Sequence, residues 1–290
     1  MDGSFGQLRL YTGGAAAAAP VAPPRRPDDP TAIANRELIR PPTYRRGHHD
    51  LEPYSPAWLE ELGRKRYARH GRWLPAALEF GRHPGESVLL FGPGVGSDAV
   101  RYLAHGTDVT VAATPADDPA LVRANWGRSG AAGRVVPAAG GRLPFADGAF
   151  DVAVVNALHD PAADTLPDEL FRVLKAGGKV IGLFPAYYDA GYWQDLVLPL
   201  QHWYWRRPPD PTSAPKKTRA QLVAAFARFT GHAVGKRHLR RSELPHPCRV
   251  LPSAVLERLV GRVLVFKAFK PLTAARSGSV RPYSPDALAA

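Results

Sequence analysis

The feature that most constrains the fold is a short apolar run that leads directly into a glycine-rich turn. Val88 to Phe91 is continuously apolar, and Gly92-Pro93-Gly94-Val95-Gly96 follows it. A run of this kind is typical of a parallel strand that is covered on both faces. Bare amides at the start of the next helix favour an anionic or acceptor-rich group. The stretch therefore predicts a strand–turn–helix unit of the type that binds nucleotides.

Strand and helix patterns alternate through the rest of the chain. Further strands are predicted at 109–113, 134–137, 151–155, 179–184, 232–240 and 262–269, and helices at 98–105, 119–126, 165–174, 218–229 and 255–260. Ser97 or Asp98 is the expected N-cap of the first of these helices, and Thr218 is the expected N-cap of a later one. Such alternation in the middle of a chain predicts a parallel, doubly wound sheet with right-handed crossovers.

The two ends of the chain have other patterns. Residues 1–50 are rich in proline, alanine and arginine, which predicts an irregular tail, and 276–290 are expected to form a second tail. Residues 51–84 carry an apolar stripe interrupted by glycine and proline, which predicts a cap of one broken helix or two short ones. The core is then 85–185, and 186–275 contain an aromatic insertion, a helix and the C-terminal strands.

Composition excludes several classes of function. The formal net charge is +12, from 38 basic and 26 acidic residues, but the arginines are scattered and form no repeated basic stripe, which disfavours nucleic acid. No apolar run approaches the roughly 20 residues of a membrane-spanning helix, so no integral membrane segment is expected. The single cysteine, Cys248, excludes an internal disulfide and a cysteine-built metal site. We expect a cytoplasmic protein without a metal centre, and a peripheral membrane contact or an acidic partner stays open.

The glycine turn alone does not identify its ligand. A dinucleotide-binding fingerprint places its third glycine at position 97, where this chain has Ser97. An NAD-dependent enzyme is therefore disfavoured, and a purely structural glycine turn stays open as an alternative.

Three passages, in their order and spacing, resemble the class I S-adenosylmethionine (SAM)-dependent methyltransferases. They are the strand and turn at 88–96, the sequence RLPFADGAFDVAVV at 142–155, and the sequence ELFRVLKAGGKV at 169–180. The resemblance covers 85–185 and points to the small-molecule group with a compact, type 11-like methyltransferase domain. It implies a Rossmann-like, doubly wound α/β sheet of seven strands with the last antiparallel and helices on both faces. It also implies SAM as the cofactor.

The same resemblance implies that the cofactor lies over the ends of strands one to four. The glycines would line its methionine and ribose portions, residues after strand two would meet the ribose hydroxyls, and residues 139–143 would flank the adenine. The implied cofactor-binding residues are Phe91, Gly92, Pro93, Gly94, Gly96, Ala112, Ala113, Thr114, Gly140, Arg142, Leu143, Asn156 and Ala157. Asn156 to His159 would face the methyl group and the substrate.

The chain departs from the family at three positions that usually hold an acid. Leu90 stands two places before the first glycine, Ala112 and Ala113 stand at the end of strand two, and Ala139 stands near the adenine. A hydrogen bond to a charged group contributes about 1.5–3 kcal/mol, so the loss of these acids weakens cofactor binding.

Two explanations of the missing acids stay open. In the first, Thr114 together with Asp117 or Asp118 would reach the ribose from a shifted loop. In the second, the domain keeps the fold and has lost methyl transfer.

The candidate catalytic residues follow strand four. A sulfonium is already an excellent leaving group, so the protein mainly aligns the reactants and excludes water, and a general base is needed only if the acceptor loses a proton. His159 and Asp160 are the candidates for that base, with a helix-capping histidine and a turn aspartate as the alternatives. The substrate-binding candidates are His159, Tyr187, Tyr188, Tyr192 and Trp193. The aromatic side chains form either a lid over an aromatic or lipid-like acceptor or packing for strand five.

The sequence therefore predicts a SAM-dependent methyltransferase that acts on a small-molecule acceptor. The alternative is a catalytically degenerate methyltransferase-like domain that binds a partner or a membrane surface. The segment Trp203-Tyr204-Trp205-Arg206-Arg207 suits that alternative, because aromatic side chains beside arginines favour a membrane interface. Neither the acceptor nor the oligomeric state has a readable pattern.

Overall fold

One seven-stranded sheet forms the centre of the fold. The computed structural model describes residues 51–68, 71–114, 117–130, 133–138, 142–158, 166–197, 215–239 and 251–272. The strands are β1 (Ser87–Phe91), β2 (Asp108–Ala113), β3 (Arg134–Pro137), β4 (Phe150–Asn156), β5 (Leu174–Pro185), β6 (Thr230–Arg237) and β7 (Val263–Phe269). Their order is β3-β2-β1-β4-β5-β7-β6, with β1 to β5 parallel and β7 antiparallel to both neighbours. The predicted Rossmann-like sheet with an antiparallel last strand is confirmed.

Helices connect most of the strands. They are α1 (Pro56–Arg66), α2 (Leu74–Leu78), α3 (Ser97–Ala104), α4 (Pro119–Arg128), α5 (Pro167–Val173), α6 (Ala190–Val197), α7 (Arg219–Ala225) and α8 (Ser253–Val260). Thr218 caps α7 as predicted, because its Oγ1 accepts a hydrogen bond from the amide of Gln221 at 3.2 Å. The predicted cap of α3 is wrong: its N-cap is Gly96, and no side chain makes a cap hydrogen bond there. Helix α6 was not predicted.

Two apolar layers cover the two faces of the sheet. Val88 and Leu90 of β1 lie in one layer, and Leu89 and Phe91 lie in the other. All four side chains are buried, which explains why this strand is apolar at successive positions instead of alternating. The prediction of a doubly wound sheet with helices on both faces is confirmed.

The N-terminal cap consists of two short helices, which is the second of the two forms predicted from the sequence. Ser55 caps α1 by accepting a hydrogen bond from the amide of Trp58 at 3.2 Å, and Trp58 and Leu62 are fully buried. A Cβ placed on Gly71 would lie 1.7 Å from the carbonyl oxygen of Arg66, so the chain turns back there only because residue 71 is glycine.

A buried charge cluster lies where α2 ends. The side chain of Glu79 is 5% exposed and pairs with Lys179 of β5 and with Lys267 of β7, whose Nζ lies 2.6 Å from its Oε1. His83 and Arg82 approach the same carboxylate at 3.5 and 3.6 Å. Burial on its own raises the pKa of Glu79, but the two ammonium groups outweigh that effect and lower the pKa to about 2. The cluster therefore joins the cap to the half of the sheet where the parallel strands begin.

The two ends of the parallel strands define two edges of the fold. We call the edge where β1, β2, β4 and β5 end the carboxyl edge, and the opposite one the amino edge. Because β7 is antiparallel, its first residue, Val263, pairs with the last residue of β5, Pro185, at the carboxyl edge. The same edge therefore receives the C-terminal end of α8 as well as the glycine turn after β1.

Candidate functional site

A crevice is expected between β1 and β4, because the strand order reverses there and ligands of open α/β sheets bind at such a point. Gly92 follows β1, and Asn156 ends β4. A Cβ placed on Gly92 would lie only 2.3 Å from the carbonyl oxygen of Asn156, and the φ angle of Gly92 is +69°. Only glycine therefore fits at this point of the turn, and the two backbones approach each other without an intervening side chain.

The backbone conformation and the packing also explain why the other two residues of the turn are glycine. Gly94 and Gly96 have φ angles of +58° and +83°, which L-residues rarely adopt. A Cβ on Gly96 would lie 3.1 Å from Cγ1 of Val122 and 3.3 Å from Nε1 of Trp126, both on α4. The third glycine thus permits the close packing of α3 and α4.

The turn is braced from two sides. The amide nitrogen Nδ2 of buried Asn125 donates to the carbonyl oxygen of Val95 at 2.9 Å. On the other side, the guanidinium of Arg66 makes a two-pronged ion pair with Asp98, in the first turn of α3, and the hydroxyl of Tyr67 donates to the same carboxylate at 2.6 Å. Both side chains of the ion pair are almost fully buried. Sequence reasoning missed these contacts, because residues 30 or more positions apart give no local signal.

The positions of the missing acids are occupied by core side chains. Leu90, Ala112 and Ala113 are each at most 3% exposed. Leu90 and Phe91 enter opposite apolar layers, whereas Gly92 and Gly94 are only partly buried. The turn therefore offers an adenosyl cofactor backbone groups, whereas the strand positions offer it no carboxylate.

In the loop after β2, the two aspartates that could substitute for the missing acids, Asp117 and Asp118, have different roles. Asp118 is the N-cap of α4, and its Oδ1 accepts from the amides of Ala120 and Leu121 at 3.0 and 3.2 Å. Asp117 instead folds back onto Thr114: its Oδ2 accepts from the amide at 2.8 Å and from the hydroxyl at 2.9 Å. Asp118 therefore serves α4, and Asp117 stands with Thr114 directly at the end of β2.

The second and third passages of the resemblance are tied together by one arginine. Arg172 donates to the carbonyl oxygens of Leu143 and Phe145 and to the carboxylates of Asp147 and Glu169, at 2.7 to 3.1 Å. The bond from Arg172 lowers the pKa of Glu169, and the bonds to the two carboxylates raise the pKa of Arg172. The resemblance of these two passages to the family therefore has a structural explanation, because their residues hold the loop before β4 against α5.

The remaining predicted site residues divide into three groups. His159, Asp160 and Gly140 lie outside the described residues, as do Ala139 and the segment 203–207. Arg142 is exposed, and the buried side chains of Phe91, Ala112, Leu143 and Ala157 belong to one apolar layer, so these side chains serve the core. Pro93 is buried within the turn.

Four aromatic side chains cluster beyond the carboxyl end of β5. The rings of Tyr187 and Tyr188 pack edge to face at 5.0 Å, Tyr192 packs against both at 5.5 and 5.0 Å, and Trp193 packs against Tyr192 at 5.5 Å. Tyr187, Tyr188 and Trp193 are 43–44% exposed, so they do not serve mainly as packing for β5. Beneath them, buried Asp189 accepts from the amide of Tyr192 at 2.9 Å.

Comparison with known proteins agrees with this geometry. Residues 89–182 match a family model described as a methyltransferase domain. This part of the chain is a class I SAM-dependent methyltransferase domain, and SAM is the cofactor of that class.

The individual relatives are distant. A sterol 24-C-methyltransferase of Yarrowia lipolytica is 31% identical over 137 residues, which cover 45% of this chain and 35% of that protein. The chain thus spans about a third of the length of this curated relative. A solved structure of a protein from Pyrococcus horikoshii OT3 has a TM-score of 0.50 at 16% identity, covering 71% of this chain and 91% of that one. The (4+2)-cyclase SpnF also has a TM-score of 0.50, at 18% identity, covering 84% of this chain and 93% of that one. These two structures show the shared fold.

Two features are absent from the described residues. None of the helices described is long and apolar enough to cross a membrane. Among the same residues, no group of histidine, cysteine, aspartate or glutamate side chains has the arrangement of a metal site.

Proposed function

We propose that the chain is a SAM-dependent methyltransferase that acts on a small-molecule acceptor. The observation that carries this proposal is the close backbone approach of Gly92 to Asn156 at the point where the strand order reverses, which leaves no room for a side chain on the glycine. Glycine occupies this position although the neighbouring acids are absent. A turn that merely reversed the chain would not need such close approach to β4.

The cofactor would be held mainly by backbone groups. The amides of the turn, at the start of α3, present hydrogen-bond donors to its polar groups. Thr114 and Asp117 are proposed to meet the ribose hydroxyls, since Asp118 is committed to capping α4. When bound, SAM supplies an electrophilic methyl group on a sulfonium, so the chain has to position the acceptor and exclude water.

The acceptor is proposed to enter at the carboxyl edge beyond β4 and β5. His159 and Asp160 follow β4 in the chain and remain the candidates for a general base. Tyr187, Tyr188 and Tyr192 offer a ring surface for an apolar or aromatic acceptor. The similarity to a sterol 24-C-methyltransferase supports an apolar acceptor as well.

A second candidate function is a methyltransferase-like module that binds a partner without methyl transfer. Its supporting observation is that Leu90, Ala112 and Ala113 place buried apolar groups where carboxylates would hold the cofactor. The fold is also shared with a protein described as a cyclase, so the architecture alone does not specify methyl transfer.

Calorimetric titration with S-adenosylhomocysteine distinguishes the two candidates. We expect saturable binding by the unaltered chain and binding at least about tenfold weaker in Gly92→Ala, because the added methyl group collides with the carbonyl oxygen of Asn156 and displaces the turn. Gly106→Ala is the matched control: Gly106 also has a positive φ, +75°, but a Cβ there would meet nothing within 4 Å. Gly106→Ala should therefore carry a similar backbone strain and bind S-adenosylhomocysteine with the affinity of the unaltered chain. An unaltered chain that binds no S-adenosylhomocysteine at high concentration would favour the module, and equal binding by both variants would reject this location of the pocket.

A further inference from the structure

The large apolar side chains that remain exposed in the described chain are concentrated on one surface. Six of the eight such residues are Tyr187, Tyr188, Trp193, Leu251, Val255 and Leu259, with exposed fractions from 43% to 58%. We call these six the apolar surface. The other two, Phe269 and Leu272, lie at the amino edge, where β7 ends. A concentration of this kind marks an interaction site more often than scattered single residues do.

The aromatic and aliphatic parts of the apolar surface are physically continuous. The ammonium group of Lys236 donates to the carbonyl oxygen of Tyr188 and to that of Leu259, at 2.7 Å each. Below them, Ala190 at the start of α6 and Leu256 of α8 share one small buried cluster. The start of α6 therefore packs against α8.

Helix α8 is apolar on two sides. Leu256 is 4% exposed and Val260 is half-buried, so this side faces the protein. Val255 and Leu259, four residues apart, lie on one stripe of the helix and are 46% and 58% exposed. A helix that only covered the sheet would carry polar residues at these outward positions. The outward stripe is therefore available to a partner that accepts apolar groups.

Basic side chains lie near the apolar surface, and Lys216, Arg237 and Arg258 are exposed. Two of these cations pair with carboxylates, since Asp189 lies 3.1 Å from Lys216 and Glu257 lies 3.6 Å from Arg237. With Lys236, which holds the carbonyl oxygens of Tyr188 and Leu259, four cations stand beside two carboxylates, so this region keeps a net positive charge. Apolar side chains rimmed by cations match the interface of a bilayer with anionic headgroups, where tyrosine and tryptophan are also favoured.

We propose that the apolar surface docks onto the interface of an anionic lipid bilayer. The surface lies at the carboxyl edge, beyond β5 and β7, and only two strand spacings, about 10 Å, separate β5 from β1 and its glycine turn. Docking would thus turn the carboxyl edge toward the membrane. The inference goes beyond the proposed function, because a domain that had lost cofactor binding would dock in the same way.

Vesicle co-sedimentation of the full chain tests this proposal. The vesicles contain phosphatidylcholine alone or a mixture with phosphatidylserine, and we expect binding to the mixture only. The double variant Val255→Ser/Leu259→Ser should bind the mixed vesicles at least about tenfold more weakly, because two exposed aliphatic side chains no longer enter the interface. Leu272→Ser is the matched control, since Leu272 is 81% exposed but lies at the amino edge, and its binding should not change.

The control separates surface docking from general attraction of a chain with a net charge of +12. Equal vesicle binding by the double variant and by Leu272→Ser would overturn the proposal, and so would no binding to mixed vesicles. Self-association of the unaltered chain in sedimentation equilibrium, abolished in the double variant, would also overturn it by assigning the surface to a second copy. Titration of the same variants with S-adenosylhomocysteine is a separate readout, so failure of docking and failure of the proposed function are distinguishable.

Discussion

Replacing Glu79 by glutamine removes the charge at the centre of the buried cluster and leaves the backbone unchanged. Glu79 has a φ angle of +59°, and glutamine carries the same strain there, so the comparison isolates the charge. In the folded chain the pKa of Glu79 is lowered to about 2 from an ordinary value of 4.5, because Lys179 and Lys267 outweigh the effect of burial. That difference between folded and unfolded pKa values corresponds to roughly 3 kcal/mol of stability.

The pH dependence has a defined sign. Because the folded pKa is lower than the unfolded one, the contribution is fully present above the unfolded value of 4.5 and is lost as the pH falls through about 2. Glu79→Gln should therefore unfold at lower urea than the unaltered chain near neutral pH, by about 3 kcal/mol in the free energy of unfolding. The difference should narrow steadily as the pH falls below 4.5.

Urea unfolding followed by circular dichroism, repeated across this pH range, measures the effect. Asp168→Asn is the control, because Asp168 is 83% exposed and pairs with Arg228 at the surface at 3.0 Å. Its loss should change the free energy of unfolding by less than about 1 kcal/mol. If the free energy of unfolding of Glu79→Gln stayed below that of the unaltered chain by the same amount from neutral to acid pH, the electrostatic reasoning would be wrong.

Three further predictions concern the turn and the helix ends. Arg66→Met should lower the free energy of unfolding by about 3–5 kcal/mol in urea titrations, since it leaves Asp98 buried without its cation, and Arg66→Met/Asp98→Leu should recover much of the loss. Asp117→Asn should weaken S-adenosylhomocysteine binding in calorimetry by about tenfold or more, whereas Asp118→Asn should bind normally, because asparagine caps a helix as well as aspartate. Thr218→Ala should lower stability by about 1 kcal/mol, visible as a drop of about 2–4 °C in the melting temperature, and an unchanged melting temperature would contradict the capping box.

Much of the sheet could be predicted from the sequence, because most of the parallel strands are short, largely apolar runs bounded by turn residues. The exception is β5, which begins at Leu174 and not at the predicted residue 179. The third strand, Arg134–Pro137, was predicted with its observed bounds, and the antiparallel Val263–Phe269 strand was shifted by only one residue at its start. Thr218 was also identified correctly as a cap, since capping depends on neighbours within one helical turn. These features are local, and so a single sequence contains them.

The remainder depends on contacts that no local pattern encodes. Helix Ala190–Val197 was missed because its aromatic residues read as a lid or a loop instead of a helical stripe. Gly96 caps α3 because the turn places it in a left-handed conformation, although Ser97 and Asp98 are better caps by residue type. Asp98 instead pairs with Arg66, and that partner becomes visible only in three dimensions. The candidate site was therefore predictable at its glycines and not at the side chains that brace them.

The apolar residues that stand in place of the expected acids have a consequence for the relation between fold and chemistry. Leu90, Ala112 and Ala113 add to the packed interior, and the charges around Glu79 anchor part of the cap at the other end of the strands. At these three positions the side chains serve folding and not ligand capture. Exchange of an acid for an apolar residue there leaves the architecture standing, so the same scaffold serves a chain with or without methyl transfer.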